Sequence, residues 1–299
     1  MYDVIIIGAG IAGQTAAIYA ARKRMNFLLI SKNIGGQFFE SGEVLNYPGI
    51  IKTTGFDFSN IMKKQLDFNG VSPRVDEIKK IEKIKGGFKL IGKNKYETKT
   101  IIIATGSQPR KLNVPGEDRL LKRGVSYCSV CDGPLFSGMD IAILGGGDSA
   151  LEAVDFTKNI ARKIYLIHKG KEFKAHGYLV ENLKKLKNVK IIIEANTKEI
   201  VGEKLVTGLK YKKNGKIYNL KVHGVIVEIG RMPNTDFVKN FLKLDKHNHI
   251  NIDCYGHTSV EGVFAAGDCT SVHEYQYVIS AGEGCTALIK AARYLANKK

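Results

Sequence analysis

The sequence predicts an α/β protein of two Rossmann-like (three-layer ββα) dinucleotide-binding domains, the second inserted in the first. Three observations carry this reading: a glycine loop between a strand and a helix at the start of the chain, a second copy of that pattern beginning at Gly145, and a late buried strand that must join a sheet formed much earlier.

The elements follow in order. The apolar run Val4 to Ile7 leads into Gly8, Gly10 and Gly13 of GAGIAG, and the Ala-rich segment from Thr15 to Arg24 has helical periodicity. A second strand, Phe27 to Ile30, closes a βαβ unit, so the glycines lie where a pyrophosphate can rest on a helix N-terminus. The segment DEIKKIEKIKGGFKLIGKNKYETKT reads as short alternating strands turning at Gly86-Gly87 and Lys93-Asn94, and IIIATGSQP at 101–109 as a strand and turn. The second copy runs from Ile141 to Leu144 through GGGDSA at Gly145 to Ala150, a helix to about Asn159 and a strand from Ile164 to Ile167. Ser31 and His168 follow the second strand at the same offset from Gly8 and Gly145. EIVGEKLVTGLKYKKNGKIYNLKV at 199–222 repeats the meander, and VIVEIGRMP at 225–233 the closing strand and turn. GVFAAGDCT at 262–270 is a further buried strand, followed by a helix from about Ser280 to Ala296. If it completes the first domain, that domain spans 1–112 and 244–299, and the inserted one 113–243.

The 46 Lys and Arg against 29 Asp and Glu give a net charge of +17, but they are spread along the chain, which argues against a nucleic-acid site. No apolar run is long enough for a membrane span, and Asp3 with the early glycines argues against a secretory leader. Five cysteines, an odd number, then point to a reducing cytoplasm.

Cys128 and Cys131 stand three positions apart in SYCSVCDGPLF. A zinc site needs further ligands, and Cys254, Cys269 and Cys285 stand alone on segments that read as strand or helix; the scattered histidines have no ligand spacing, so no metal site is expected. A structural disulfide closing so small a loop adds little stability. A redox dithiol remains, with Asp132 placed to pass protons.

GAGIAG, GGQ at Gly35 to Gln37, NYPG at Asn46 to Gly49, ATGSQPR, CSVCDGPLF, GGGDSALEA, GVFAAGDC and SAGEGC occur in an order and spacing that resembles the low-molecular-weight thioredoxin reductases, FAD-dependent pyridine nucleotide-disulfide oxidoreductases, over nearly the full length. The resemblance implies FAD with its pyrophosphate over Gly8, Gly10 and Gly13 and its ring near Gln37, Asn46, Thr105, Gly106, Asp268 and Gln276. It implies that Cys131 lies against the flavin, that Cys128 attacks the protein substrate, thioredoxin or a glutaredoxin-like protein, and that Asp132 is the acid/base. It also implies NADPH at Gly145, Gly147, Asp148, Ser149, His168, Lys169 and Lys174, and a homodimer.

Departures leave the donor open. Ser31 replaces the usual acidic ribose ligand; the family it resembles often lacks an acid there as well. The basic cluster H-R-R-x-x-x-R becomes HKGKEFK at 168–174, which keeps charge at Lys169, Lys171 and Lys174 but loses the guanidinium fork. NADPH, NADH, a ferredoxin or a deazaflavin are all compatible donors. Tyr275 stands where arginine is usual and Tyr277 where a small residue is usual, from packing drift or to cover the flavin or nicotinamide site. A non-turnover flavin redox sensor is the alternative to an enzyme.

Overall fold

The computed structural model describes residues 1–36, 43–44 and 46–298, with only the backbone of Glu43 and Cys131. The chain forms two compact units, Met1–Gln108 with Met232–Lys299, and Pro109–Arg231. Both joints fall earlier than the sequence suggests. Leu112 and Val114 pack against the core of the inserted unit, whereas Val238 and Leu242 are buried with Ile5, Ile7 and Ile103 in the other.

In the first unit, the strands run in the order Arg74–Val75, Phe27–Ile34, Tyr2–Ala9, Lys95–Ile103, Gly87–Ile91 and Lys80–Ile84. Alternation along Tyr2–Ala9 explains its place in the middle: Val4 and Ile6 face one core cluster, Ile5 and Ile7 the other. Lys95–Ile103 is shared along its length. Its start pairs antiparallel with the meander, and Ile101, Ile102 and Ile103 pair parallel with Val263, Phe264 and Ala265. The late strand thus joins the sheet expected for it.

Helix Ile11–Arg22 packs on helix Tyr277–Ala296 through small residues, Ala12, Ala16 and Ala20 against Ala287 and Ala291. A Cβ on Gly284 would lie 2.1 Å from the Ala12 carbonyl oxygen, so only glycine permits this crossing. The last helix begins at Tyr277, ahead of Ser280, because the Ser280 amide already donates to the Gln276 carbonyl at 2.9 Å. Helix Gly55–Phe68 is not evident in the sequence reading. Thr54 caps it by accepting from the Asp57 amide at 3.1 Å, and Phe58, Met62 and Leu66 bury one face.

The second unit has a five-stranded parallel sheet, in the order Val125–Ser126, Gly224–Glu228, Asp140–Gly145, Lys163–Ile167 and Val189–Ile192. An antiparallel sheet of Asn196–Gly202, Val206–Lys213 and Lys216–Leu220 forms the expected meander.

The first meander is tied to its neighbour by Asp76, which is 3% exposed. Its carboxylate accepts from the amides of Glu77 (2.7 Å), Lys93 (2.9 Å) and Asn94 (3.1 Å) and from the Tyr96 hydroxyl (2.9 Å). Burial opposes ionisation, but these donors outweigh it and hold the carboxyl well below the usual carboxylate range. Its contribution is therefore complete above the ordinary aspartate pKa of about 3.9 and lost as pH falls below it. Asp76→Ala leaves those donors unpaired and should cost about 2–4 kcal/mol, read as a lower denaturant midpoint near neutral pH. The gap between variant and parent should narrow in acid.

Candidate functional site

The first glycine loop is shaped by how closely backbone meets backbone. A Cβ on Gly13 would lie 1.8 Å from the Gly8 carbonyl oxygen, and one on Gly8, where φ is +109°, 2.1 Å from the Ala104 carbonyl oxygen. Helix Ile11–Arg22 is thereby pressed against the strand end it follows. Gly10 differs: it is the N-cap in extended conformation, and nothing lies within 4 Å of its Cβ position. No acidic residue occupies the first turn. An open cradle over bare amides at a helix N-terminus fits the pyrophosphate of FAD.

Of the other residues expected to hold FAD, several are tied to neighbours distant in sequence. Gln37 lies outside the described residues. Asn46 and Gln276 are far apart in sequence yet joined, Asn46 Nδ2 donating to Gln276 Oε1 at 3.3 Å. Thr105 Oγ1 donates to the Asn234 carbonyl at 2.8 Å, Asn234 Nδ2 returns a bond to the Thr105 carbonyl at 3.0 Å, and the Asn234 amide donates to Gly106 O at 2.9 Å. Asp268 accepts from Ser107 Oγ (3.3 Å) and Ser280 Oγ (3.2 Å), while the preceding Gly267 amide donates to Glu283 at 2.6 Å. Burial raises the Glu283 carboxyl. Sequence reasoning missed Asn234, Ser107, Ser280 and Glu283. Only Asn234 left a trace, sitting after the closing turn of the second copy.

The dithiol segment is held within the inserted unit. Cys128 is disulfide-bonded and half-buried, and immediately precedes the short helix Ser129–Asp132. Ser126 Oγ accepts from the Cys128 amide at 3.0 Å and donates to its carbonyl at 3.1 Å. The same carbonyl accepts from the Asp132 amide at 3.2 Å. Buried Glu117 takes the amides of Leu112 and Asn113 at 2.8 and 2.7 Å and the hydroxyl of Tyr127, which fixes the approach to Cys128. After the dithiol, Phe136 is buried against Gly224. Cys254, Cys269 and Cys285 are free thiols. Cys254 and Cys269 fall in turns, not strands; burial pushes the Cys269 thiol up to about 11, which makes it unreactive.

Glu228 is the functional candidate that sequence reasoning passed over. It ends strand Gly224–Glu228, opposite Gly145 in the ladder, and its carboxyl takes a hydrogen bond from the Ser129 amide at the head of the dithiol helix. Burial raises it to about 7, although Arg231 and the Ser129 amide act the other way. A group that exchanges its proton near neutrality therefore adjoins the dithiol.

The second glycine loop is covered by its own chain. The His168 ring lies against Gly146, where a Cβ would be 2.2 Å from Nδ1, and against Gly170, where it would be 2.5 Å from Nε2. Phe173 stacks on the ring, and Nε2 is 3.0 Å from the Glu172 carbonyl. The Lys174 amide donates to Gly146 O at 2.6 Å, and Asp148 accepts from the His176 amide at 2.7 Å and pairs with its Nδ1 at 2.9 Å. Gly147 and Ser149 remain accessible, and Lys169, Lys171 and Lys174 are exposed, without an ion pair among the described residues. The Tyr275 hydroxyl lies 2.9 Å from His249 Nε2, and Tyr277 packs toward Phe58.

The family model described as pyridine nucleotide-disulphide oxidoreductase matches residues 2–291. An alkyl hydroperoxide reductase subunit of Staphylococcus aureus (strain MSSA476) is 39% identical over 98% of this chain; the chain spans 59% of that relative's length. The thioredoxin reductase of Lactococcus lactis superposes with a TM-score of 0.87 at 33% identity, covering 99% of this chain and 100% of that one. A ferredoxin-flavin thioredoxin reductase from Clostridium acetobutylicum superposes with a TM-score of 0.56 at 29% identity, over 99% and 98% of the two chains.

Two outcomes follow from the geometry. Gly10→Ala should fold normally but bind FAD at least about tenfold more weakly, because its methyl enters only the cradle, whereas Gly13→Ala should lose soluble, folded protein. Flavin absorbance per folded chain separates them. For Glu228 the folded pKa lies above the ordinary value, so its stabilising effect is full below about 4.5 and lost as pH rises through about 7. Glu228→Gln should flatten that decline, worth up to about 3 kcal/mol, in urea midpoints measured on either side of the window.

Proposed function

The chain belongs to the pyridine nucleotide-disulphide oxidoreductase family, and on that premise we propose an FAD-dependent disulfide reductase with NADPH as donor, acting through the Cys128/Cys131 dithiol on the disulfide of thioredoxin or a glutaredoxin-like protein. The observation that carries this reading is the oxidised Cys128 at the head of a short helix, beside a carboxyl poised near neutrality and apart from three free thiols.

FAD bound over Gly8, Gly10 and Gly13 supplies a two-electron relay between a nicotinamide and a disulfide. The chain's own residues do the rest. Once reduced, the Cys128 thiolate attacks one sulfur of the acceptor disulfide, forming a mixed disulfide and expelling the other sulfur as a thiolate. Cys131 then attacks Cys128, which releases the second acceptor sulfur and restores the enzyme disulfide. Each expelled thiolate takes one proton, so the acceptor gains two electrons and two protons. Asp132 is the expected donor, and Glu228 is a second source at the same helix. The Ser126 hydroxyl holds the Cys128 backbone in place during both attacks.

Three exposed lysines, Lys169, Lys171 and Lys174, support a phosphorylated nucleotide near the second glycine loop. A second reading keeps the dithiol and changes the ends of the chain of transfer. The absent guanidinium fork and the named ferredoxin-flavin relative favour NADH, a ferredoxin or a deazaflavin as donor. The alkyl hydroperoxide reductase relative favours a peroxide-reducing partner as acceptor. The family resemblance further supports a cytoplasmic homodimer; no helix among the described residues is long and apolar enough to cross a membrane.

Anaerobic stopped-flow measurement of flavin absorbance tests this directly. Rapid bleaching by NADPH, followed by reoxidation on adding thioredoxin, is expected, with bleaching by NADH slower. Bleaching by dithionite alone, with thioredoxin still reoxidising the protein, would move the donor to a ferredoxin or deazaflavin. A reduced protein that no disulfide acceptor reoxidises would leave only the sensor reading.

A further inference from the structure

Sequence spacing gives no reason to expect a metal, yet the fold of the first unit brings together three ligand types distant along the chain. One atom each of Asp245, His249 and His273 lies within 4.8 Å of the others. His249 is 3% exposed, and its Nδ1 has no hydrogen-bond partner. A buried ring nitrogen without a partner is costly and calls for an explanation.

The tautomer supplies one. His249 Nε2 is 2.9 Å from the Tyr275 hydroxyl. With Nε2–H donating to Tyr275, Nδ1 presents a bare lone pair toward Asp245 Oδ1 at 3.6 Å, too long for a hydrogen bond. Asp245 cannot turn away, because Oδ1 already accepts from the amides of His247 (2.7 Å) and His249 (2.9 Å). Its second oxygen, Oδ2, lies 2.8 Å from His273 Nε2. Two acceptors therefore face each other in a buried corner, with a second imidazole alongside.

We propose that Asp245, His249 and His273 form a binding site for a divalent transition ion of the zinc class. Metal–nitrogen and metal–oxygen bonds of about 2.0–2.2 Å place tetrahedral ligand atoms about 3.3 Å apart; with one ligand atom from each residue the three here lie within 4.8 Å of one another, so the side chains draw together around the ion. Two imidazoles and one carboxylate suit zinc, cobalt or nickel over calcium or magnesium. The half-exposed His273 leaves the fourth position to water. Tyr275 fills the outer-shell role by fixing the His249 tautomer. The ion would clamp the segment that leads into Gln276, whose side chain is bonded to Asn46. The site does not depend on the donor or acceptor proposed above.

The test is Zn²⁺ titration of the full-length, flavin-loaded protein against a chromogenic chelator, after chelator treatment and with the disulfide oxidised. One ion per chain is expected. His273→Ala and Asp245→Asn should each weaken it at least about tenfold, and Tyr275→Phe by a similar factor. His257→Ala, whose ring pairs with Asp253 elsewhere, should leave it unchanged. Far-ultraviolet circular dichroism confirms that each variant folds. X-ray absorption of the Zn²⁺ form should show only nitrogen and oxygen ligands near 2.0–2.2 Å. Absence of stoichiometric binding, binding indifferent to both ligand variants, or a sulfur ligand would each overturn the assignment.

Discussion

The closeness with which helix Ile11–Arg22 meets the strand before it governs the first unit. Gly13 against Gly8, Gly8 against Ala104 and Gly284 against Ala12 are contacts between backbones, each with less room than one carbon atom needs. They fix the helix on both sides at once, toward the sheet and toward the last helix. The alanines that fill the remaining seam follow from the same geometry, since longer side chains would force the helices apart. Gly10 is left open where the strands of the sheet diverge, at the switch point between Tyr2–Ala9 and Lys95–Ile103, which is where such folds hold their ligands. The cradle is the space that tight packing on either side leaves unfilled.

A second theme is how buried carboxyls are treated. Asp76 and Glu228 both lose water, and removing a carboxylate from water costs several kcal/mol. Asp76 regains this through three amides and a hydroxyl, each bond to a charged group worth roughly 1.5–3 kcal/mol, so it stays ionised and ties strands together. Glu228 has one amide from Ser129 and the nearby charge of Arg231, which is insufficient, and its proton is held to about pH 7. The same side-chain chemistry thus ties strands together in one unit and holds its proton toward neutrality beside the dithiol in the other.

What the sequence disclosed matches what is local. The two glycine loops, their flanking strands and the paired cysteines are all written in fewer than about thirty consecutive residues, the span of one βαβ unit. That the strand at 263–265 joins a sheet was legible because a buried strand must find one; its parallel pairing with Ile101–Ile103 was not. Helix Gly55–Phe68 was not, since its signal is a Thr54 cap on a stretch of low overall hydrophobicity. Asn234 on Thr105, Glu283 on Gly267, Glu117 on Tyr127 and Glu228 on Ser129 were also out of reach. Each acts on a neighbour supplied by the folded chain, and a lone polar residue in sequence carries no sign of that neighbour. The domain joints shifted for the same reason: Val238 and Leu242 belong to the core they touch.

The second glycine loop shows why a departure in one motif need not be an independent loss. In HKGKEFK, the arginine usual at the third position is Gly170, and the structure shows what glycine allows there. His168 occupies the space a Cβ at 170 would need, and the same ring covers Gly146 and stacks on Phe173. A guanidinium at 170 and this placement of His168 are mutually exclusive, so the glycine and the covered loop form one coupled arrangement. The remaining charges, Lys169, Lys171 and Lys174, sit on the outside of that arrangement, where they attract anions without the geometric selectivity of a fork. A nucleotide held at this loop, as proposed above, would need the His168 ring to move off Gly146.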